Sequence, residues 1–126
     1  MDSNRNYEGL MYLSWDMFDS PGEEGSGYLF MEREPVLILD RVVSKIRRSI
    51  KVDLGYVSKT YADKNVFPTK DSHRVGKAVR VRCLNPKKRM AIVKALIELG
   101  VERIAVSRDQ VYYDTDELKP PMLSLW

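Results

Sequence analysis

The chain has one cysteine, Cys83, and one histidine, His73. A lone cysteine excludes an internal disulfide and a cysteine-based zinc site, and it fits a reducing compartment or an assembly built in one. No run approaches the roughly 20 apolar residues that cross a bilayer, and residues 1–12 lack the apolar region of a signal peptide. The sequence also lacks a Walker-type phosphate loop. We therefore expect neither a membrane-spanning nor a secreted protein.

Length and composition are those of one globular domain. The 126 residues are 44% hydrophobic and 31% charged, which suffices for a core that folds alone. We expect a loose leader over residues 1–12, a domain over 13–119 and an extended tail over 120–126. The tail is predicted to dock on another surface or to swap.

Hydrophobic spacing predicts two main helices. The first spans about residues 32–48, and the second follows the capping pair Asn85-Pro86 and closes at Gly100. The first helix has an apolar stripe of Val36, Leu39, Val43, Ile46 and Ile50, and the second has a buried face of Ile92, Val93, Leu96 and Ile97.

Alternation of apolar and polar residues predicts four strands, at residues 50–54, 77–83, 102–107 and 110–114. The last two are expected to form a hairpin. In the second strand, Val79, Val81 and Cys83 should face the core, opposite Ala78, Arg80 and Arg82. Residues 55–72 read as a long irregular segment. The order indicates an α+β class with an antiparallel sheet and two main helices packed on it.

Charge is unevenly distributed along the chain. Net charge is +3, yet residues 70–94 hold nine Lys or Arg against one acid, Asp71. A basic patch of this kind would attract a protein with an acidic surface, although a solvated basic face explains it equally well. Specific nucleic-acid binding is less favoured because no recognised module is present. The candidate patch residues are Arg74, Lys77, Arg80, Arg82, Lys87, Lys88 and Arg89.

Several segments, taken in order, resemble one family. Ser72-His73 with Gly76 and Ala78 resembles the metal motif of the zinc D-Ala-D-Ala carboxypeptidases, in their small phage-type branch. The entry segment 12–21, the segment Leu54-Gly55-Tyr56-Val57 and the closing segment 114–120 resemble other parts of the same family. The resemblance covers about residues 12–119, and it implies the fold shared with the hedgehog signalling domain.

The departures from the family fall at its catalytic positions. His73 matches the first zinc ligand, but Arg80 stands where the family has an aspartate ligand. Tyr112 stands where the family has a histidine two residues before an aspartate, and that aspartate position is Asp114. Val57 replaces the arginine that orients the substrate, and Asp109 is a candidate for the place of the catalytic acid. A cation at a ligand position repels Zn²⁺, so the resemblance implies no bound metal or other cofactor and no catalysis. We expect Arg80 to pair with Asp114 or Asp109 in place of the metal.

The resemblance therefore implies a catalytically inactive module. The expected role is a structural or protein-binding component of a phage virion, in the capsid, neck or tail, located in the virion or the host cytoplasm and forming an oligomer within the assembly. The alternatives are a zinc-dependent peptidoglycan peptide hydrolase and a cell-wall-binding domain. An exposed tail at Met122, Leu123, Leu125 and Trp126 would be an interaction element, whereas a buried one would be structural.

Overall fold

A computed structural model describes residues 6–68 and 71–125. A 3-10 helix at Trp15–Phe18 precedes four α-helices and five strands. The helices are α1 Ser26–Phe30, α2 Arg33–Ile46, α3 Lys59–Asn65 and α4 Pro86–Glu98. The strands are β1 Lys51–Leu54, β2 Ala78–Arg82, β3 Arg103–Val106, β4 Gln110–Asp114 and β5 Met122–Leu125.

The two main helices form as the sequence predicts. Pro35 lies in the first turn of α2, where its missing N–H leaves no hydrogen bond unmade. Asn85 caps α4, because its side chain accepts a hydrogen bond from the backbone N–H of Lys88 at 3.0 Å. In α4 the buried residues are Ile92, Ala95 and Leu96. The predicted burial of Ile97 is wrong, since it is 53% exposed.

The strands form one sheet in the order β1-β2-β4-β3-β5. The α+β class is confirmed, but the sheet is mixed instead of antiparallel because β5 runs parallel to β3. The expected extended tail is this fifth strand, and its Trp126 lies outside the described residues. The predicted hairpin between β3 and β4 is confirmed, with Val106 opposite Val111.

Helices α2 and α4 cover one face of the sheet, the helix-bearing face. The main core contains Val79 and Val81 of β2 and Tyr113 of β4, each 0% exposed, packed with residues of α2 and α4. A small second core on the other face joins Leu54, Val57 and Ala62. The opposite face of the sheet, the open face, is therefore partly covered next to β1, and its centre carries polar residues.

Two segments expected to be irregular are ordered in their described parts. Residues 55–72 contain α3, which Ser58 caps by accepting a hydrogen bond from Tyr61 N–H. The leader is also held in its described part, residues 6–12. The buried carboxylate of Asp40 accepts hydrogen bonds from the backbone N–H groups of Met11, Tyr12 and Leu13 at 2.9–3.0 Å. These long-range polar contacts leave no hydrophobic periodicity in the sequence, which is why the pattern missed them.

The loop that carries His73 is fixed by a close backbone approach. Gly76 has φ of 72°, and a Cβ atom there would lie 2.1 Å from the carbonyl oxygen of Phe30. Only glycine satisfies both constraints. In the described parts of the chain, no helix is long and apolar enough to cross a membrane.

Candidate functional site

The three positions that the resemblance aligns with zinc ligands, His73, Arg80 and Tyr112, converge on the open face of the sheet, the face opposite α2 and α4. Arg80 of β2 lies directly across from Tyr112 of β4 in the strand register. The ring of His73 contacts the ring of Tyr112, with centroids 5.5 Å apart. Residues separated by up to 39 positions in the sequence thus meet in one place.

His73 is held in a single orientation. Its side chain is buried, and its Nδ1–H donates to the carbonyl oxygen of Gly55 at 2.8 Å. Because that oxygen can only accept, the lone pair of the neutral ring lies on Nε2. Burial lowers the pKa of His73, although the Gly55 hydrogen bond and the charge of Asp71 act in the opposite direction. A zinc ligand has the same arrangement, with the second nitrogen bonded to a carbonyl.

Arg80 pairs with Asp53, so the expectation of a partner at Asp109 or Asp114 is wrong. The Arg80 Nε–H donates to Asp53 Oδ2 at 2.8 Å, and Gln110 Nε2 donates to the same oxygen at 2.9 Å. A register shift between Val52 and Leu54 in β1 accompanies this placement of Asp53 beside β2. The two aspartates that were expected as partners are bound elsewhere.

Asp114 is the centre of a buried network. Its side chain is 0% exposed and accepts a hydrogen bond from Arg103 Nε–H at 2.8 Å. Tyr112 Oη–H donates to Asp114 Oδ2 at 2.5 Å, and the Asp116 N–H donates at 3.0 Å to Oδ1, the oxygen that Arg103 also binds. Burial, and next the hydrogen bond to Asp114, raises the pKa of the Tyr112 phenol well above its usual range. Tyr112 therefore stays protonated at physiological pH.

A second group of polar side chains continues this network. Ser72, the neighbour of His73, donates to Asp116 Oδ2 at 2.9 Å and accepts from Lys119 Nζ at 2.7 Å. Arg103 also donates to the carbonyl oxygen of Pro120. Hydrogen bonds and ion pairs thus tie the His73 loop and β4 to the segment that leads into β5.

Asp109 lies apart from this network. It occupies the β3–β4 turn, at the opposite end of β4 from Asp114, and its carboxylate accepts a hydrogen bond from Ser107 Oγ at 3.1 Å. Its backbone oxygen accepts from the N–H of Cys83 at 2.7 Å. The position assigned by the resemblance to the catalytic acid therefore carries a turn residue.

The residues present do not fit a zinc ion. Catalytic zinc takes about three protein ligands and leaves one position for water. Here Nε2 of His73 is the one suitable donor among the three aligned positions, next to a guanidinium and a protonated phenol. Across residues 6–68 and 71–125, no group of three or more His, Cys, Asp or Glu side chains is placed to hold a metal ion.

The position that the resemblance aligns with a substrate-orienting arginine holds a core residue, Val57. Val57 is 0% exposed and belongs to the second core. Its N–H donates to the carbonyl oxygen of His73 at 3.1 Å, and its own carbonyl accepts from the guanidinium of Arg74 at 2.9 Å. Both hydrogen bonds connect the Val57 segment to the His73 loop, so this part of the site stabilises the fold.

The predicted basic patch is divided by the fold. Arg74, Arg80 and Arg89 direct their guanidinium groups to acceptors inside the molecule. Lys77 precedes β2, at the end of that strand away from Arg82, and Lys70 lies outside the described residues. Arg82, Lys87 and Lys88 remain together where β2 ends and α4 begins.

The strand register adds two cations that the sequence window missed. Lys51 lies opposite Arg82 in the β1–β2 pair. Arg108 occupies the β3–β4 turn just before Gln110, which lies opposite Arg82 in the β2–β4 pair. None of these five forms an ion pair within the described part of the chain. We name this surface the basic end: Lys51, Arg82, Lys87, Lys88 and Arg108.

One cavity of the molecule lies away from His73. It has a volume of about 430 Å³ and lies between α2, the loop after α4 and the segment after β4, with Glu34, Glu102 and Glu117 in its wall. His73, Arg80 and Tyr112 are not among its lining residues. The aligned positions thus do not form the wall of this cavity.

Comparisons with known protein families, with curated proteins and with solved structures found no match to this chain.

Proposed function

We propose that the chain is a catalytically inactive relative of the zinc D-Ala-D-Ala carboxypeptidases that acts as a structural, protein-binding component of a phage virion. One observation carries the proposal. The three aligned positions meet on one face of the sheet, but they hold one imidazole, one guanidinium paired with Asp53 and one phenol bound to Asp114.

The chemistry of these groups argues against hydrolysis. A hydrolytic zinc ion lowers the pKa of its bound water to about 7 and polarises the carbonyl under attack. A single imidazole gives neither the affinity nor the geometry for this, and the charge of Arg80 opposes a divalent cation. Tyr112 would ligate only as a phenolate, which its raised pKa prevents.

A structural role accounts for the polar groups. The Arg103–Asp114 pair, with side chains 14% and 0% exposed, connects β3 with β4. Ser72, Asp116 and Lys119 connect the His73 loop with the segment before β5. These contacts hold together the region that a metal ion would hold in an active enzyme.

The basic end supplies a surface for the partner. Four of its five cations are exposed, and none of the five forms an ion pair with an acid of residues 6–68 or 71–125. Lys87 and Lys88 lie in the first turn of α4, where cations oppose the helix dipole. An acidic protein surface would relieve that cost and would be attracted over a distance of about 10 Å at moderate salt.

Zinc content and peptidase activity test the loss of function. We expect less than about a tenth of a zinc equivalent per chain after dialysis against trace zinc, because three protein ligands are required. We also expect no chelator-sensitive release of D-alanine from peptidoglycan peptides. One zinc equivalent that is lost in His73→Ala, together with such release, would contradict the proposal and favour the hydrolase.

Restoring the ligands tests the family relationship itself. In the double variant Arg80→Asp with Tyr112→His, an aspartate and a histidine would lie across from each other beside Nε2 of His73. We expect this variant to bind about one zinc ion per chain, measured by elemental analysis after its fold is checked by circular dichroism. The matched control, Arg82→Asp with Tyr112→His, carries the same residues two positions along β2 and should bind none. Equal binding by the two folded variants, or binding by neither, would contradict the relationship.

The partner surface has a separate test. Lys87→Glu with Lys88→Glu reverses two charges of the basic end, and we expect it to lower incorporation of the chain into assembled phage particles. The control, Lys59→Glu with Lys64→Glu, reverses two exposed charges on α3. Equal incorporation of both variants would exclude the basic end as the docking surface.

A further inference from the structure

Strand β5 is an uncovered edge. It is the last strand of the sheet and pairs with β3 on one side, and no strand among the described residues pairs with its outer side. Two of its leucines are largely in solvent, Leu123 at 71% and Leu125 at 87% exposure. An exposed apolar edge of this kind favours pairing with another strand.

The same two leucines present the free backbone groups of β5. The N–H of Met122 donates to the carbonyl oxygen of Glu102 at 2.8 Å, so Met122 and, by alternation, Ser124 direct their backbone groups towards β3. The N–H and C=O groups of Leu123 and Leu125 therefore point outward. Leu123 aligns with the core residue Ile104, so both leucine side chains lie on the helix-bearing face.

No charged side chain of residues 120–125 opposes pairing of this edge with a copy of itself. Residues 120–125 contain no charged side chain, whereas natural proteins often protect an edge strand with lysine or another charge. A second copy would therefore bring no like charge opposite the strand. Partial protection comes from Pro120 and Pro121, but they precede the strand and leave the outward groups of Leu123 and Leu125 available.

We propose that β5 pairs antiparallel with β5 of a second copy of this chain, about a twofold axis at Ser124. Leu123 of each copy then lies opposite Leu125 of the other as a hydrogen-bonded pair, and each pair exchanges two N–H···O=C bonds. The leucine side chains of the two copies lie together on one face and remove each other from solvent.

The strand is complementary to a copy of itself, which identifies a second copy as its partner. The outward backbone groups and the exposed side chains belong to the same two residues, and rotation about Ser124 satisfies both sets at once. A twofold contact is closed, so it yields a dimer with a continuous sheet and not a filament. This inference is independent of the proposed function, because it uses no residue of the His73 network.

The first test measures mass in solution. Sedimentation velocity of the full chain should show the mass doubling from monomer to dimer as concentration rises into the millimolar range. Leu123→Pro removes an outward N–H and leaves the bonds between β3 and β5 in place, and it should shift the protein to the monomer. Leu123→Lys with Leu125→Lys should do the same through like charge. Leu118→Lys alters a 92% exposed leucine outside the strand and should leave the dimer unchanged.

The second test fixes the register. At the twofold axis Ser124 lies opposite its copy as a non-hydrogen-bonded pair, with Cα atoms about 4.5 Å apart, which suits a disulfide. With Cys83→Ala in the background, Ser124→Cys should form a covalent dimer under mild oxidation much faster than Leu118→Cys. A monomer at every concentration, a mass beyond the dimer, or equal cross-linking of the two cysteine variants would overturn the proposal.

Discussion

The two faces of the sheet are built by different interactions. On the helix-bearing face, Val79 and Val81 of β2 are 0% exposed and contact α2 and α4 in one apolar core. On the open face, Arg80 of the same strand is bound to Asp53, and Tyr112 is bound to Asp114. Hydrophobic contact is non-directional and tolerates exchange of similar side chains. A polar network depends on each donor and acceptor, because an unpaired buried group is costly.

The largest effect expected on the open face is the loss of Asp114. Asp114→Ala removes the acceptor of the Arg103 Nε–H and of the Tyr112 hydroxyl at a site where the Asp114 side chain is 0% exposed. Removing one partner of a buried ion pair should cost about 4 kcal/mol of unfolding free energy, measured by urea denaturation. The control Asp109→Ala changes an aspartate in a turn, and we expect a cost below about 1 kcal/mol. Equal costs would mean that the network does not stabilise the fold.

The corresponding change on the helix-bearing face is Leu96→Ala. Leu96 is 0% exposed in the core, and we expect its truncation to cost about 3 kcal/mol through lost burial and a residual cavity. The adjacent Ile97 is 53% exposed, so Ile97→Ala should cost less than about 1 kcal/mol. If urea denaturation showed a larger cost for Ile97→Ala than for Leu96→Ala, the other side of α4 would lie against the sheet.

The sequence predicted the helix-bearing face better than the open face for a physical reason. Alternation alone identifies Val79, Val81 and Cys83, because side chains of a strand point to opposite faces in turn. Ile97 was misassigned because a stripe of four apolar residues is wider than the contact that α4 makes, and the small Ala95 is buried instead.

On the open face, the resemblance singled out His73, Arg80 and Tyr112, which lie close together, but the pattern did not supply their partners. Asp53 reaches Arg80 beside a register shift in β1, and such an irregularity leaves no periodic signal in the sequence. Arg103 and Lys119 depend on the placement of the segment before β5, whose parallel pairing the sequence did not reveal. One signal was available, since Asp114 and Arg103 lie opposite each other once the predicted hairpin is drawn.

The N-terminal arm is a polar anchor outside the open face and gives an intermediate effect. Asp40→Ala removes the acceptor of three backbone N–H groups, those of Met11, Tyr12 and Leu13. We expect a cost of about 2 kcal/mol and faster amide hydrogen exchange at those three residues. Asp63→Ala, at an exposed aspartate of α3, should change neither quantity. Unchanged exchange in Asp40→Ala would show that the arm is held by its apolar contacts alone.

The smallest effect expected is the change with pH in the unfolding free energy that His73 causes. Varying the pH changes the charge of a group on the open face. Burial holds the pKa of folded His73 below its unfolded value of 6.5. The charge of Arg80 also lowers this pKa, whereas the charges of Asp71 and Asp114 raise it. The unfolded state therefore binds more protons as the pH falls below that value, and stability declines from neutral pH into the acid range. Because His73 is the chain's one histidine, the difference in unfolding free energy between the wild type and His73→Gln, measured from pH about 8 to about 5, isolates this contribution. A difference that stays constant across the range would mean that the imidazole remains accessible to protons in the folded state, and that the network around it is looser than the buried face of the same sheet.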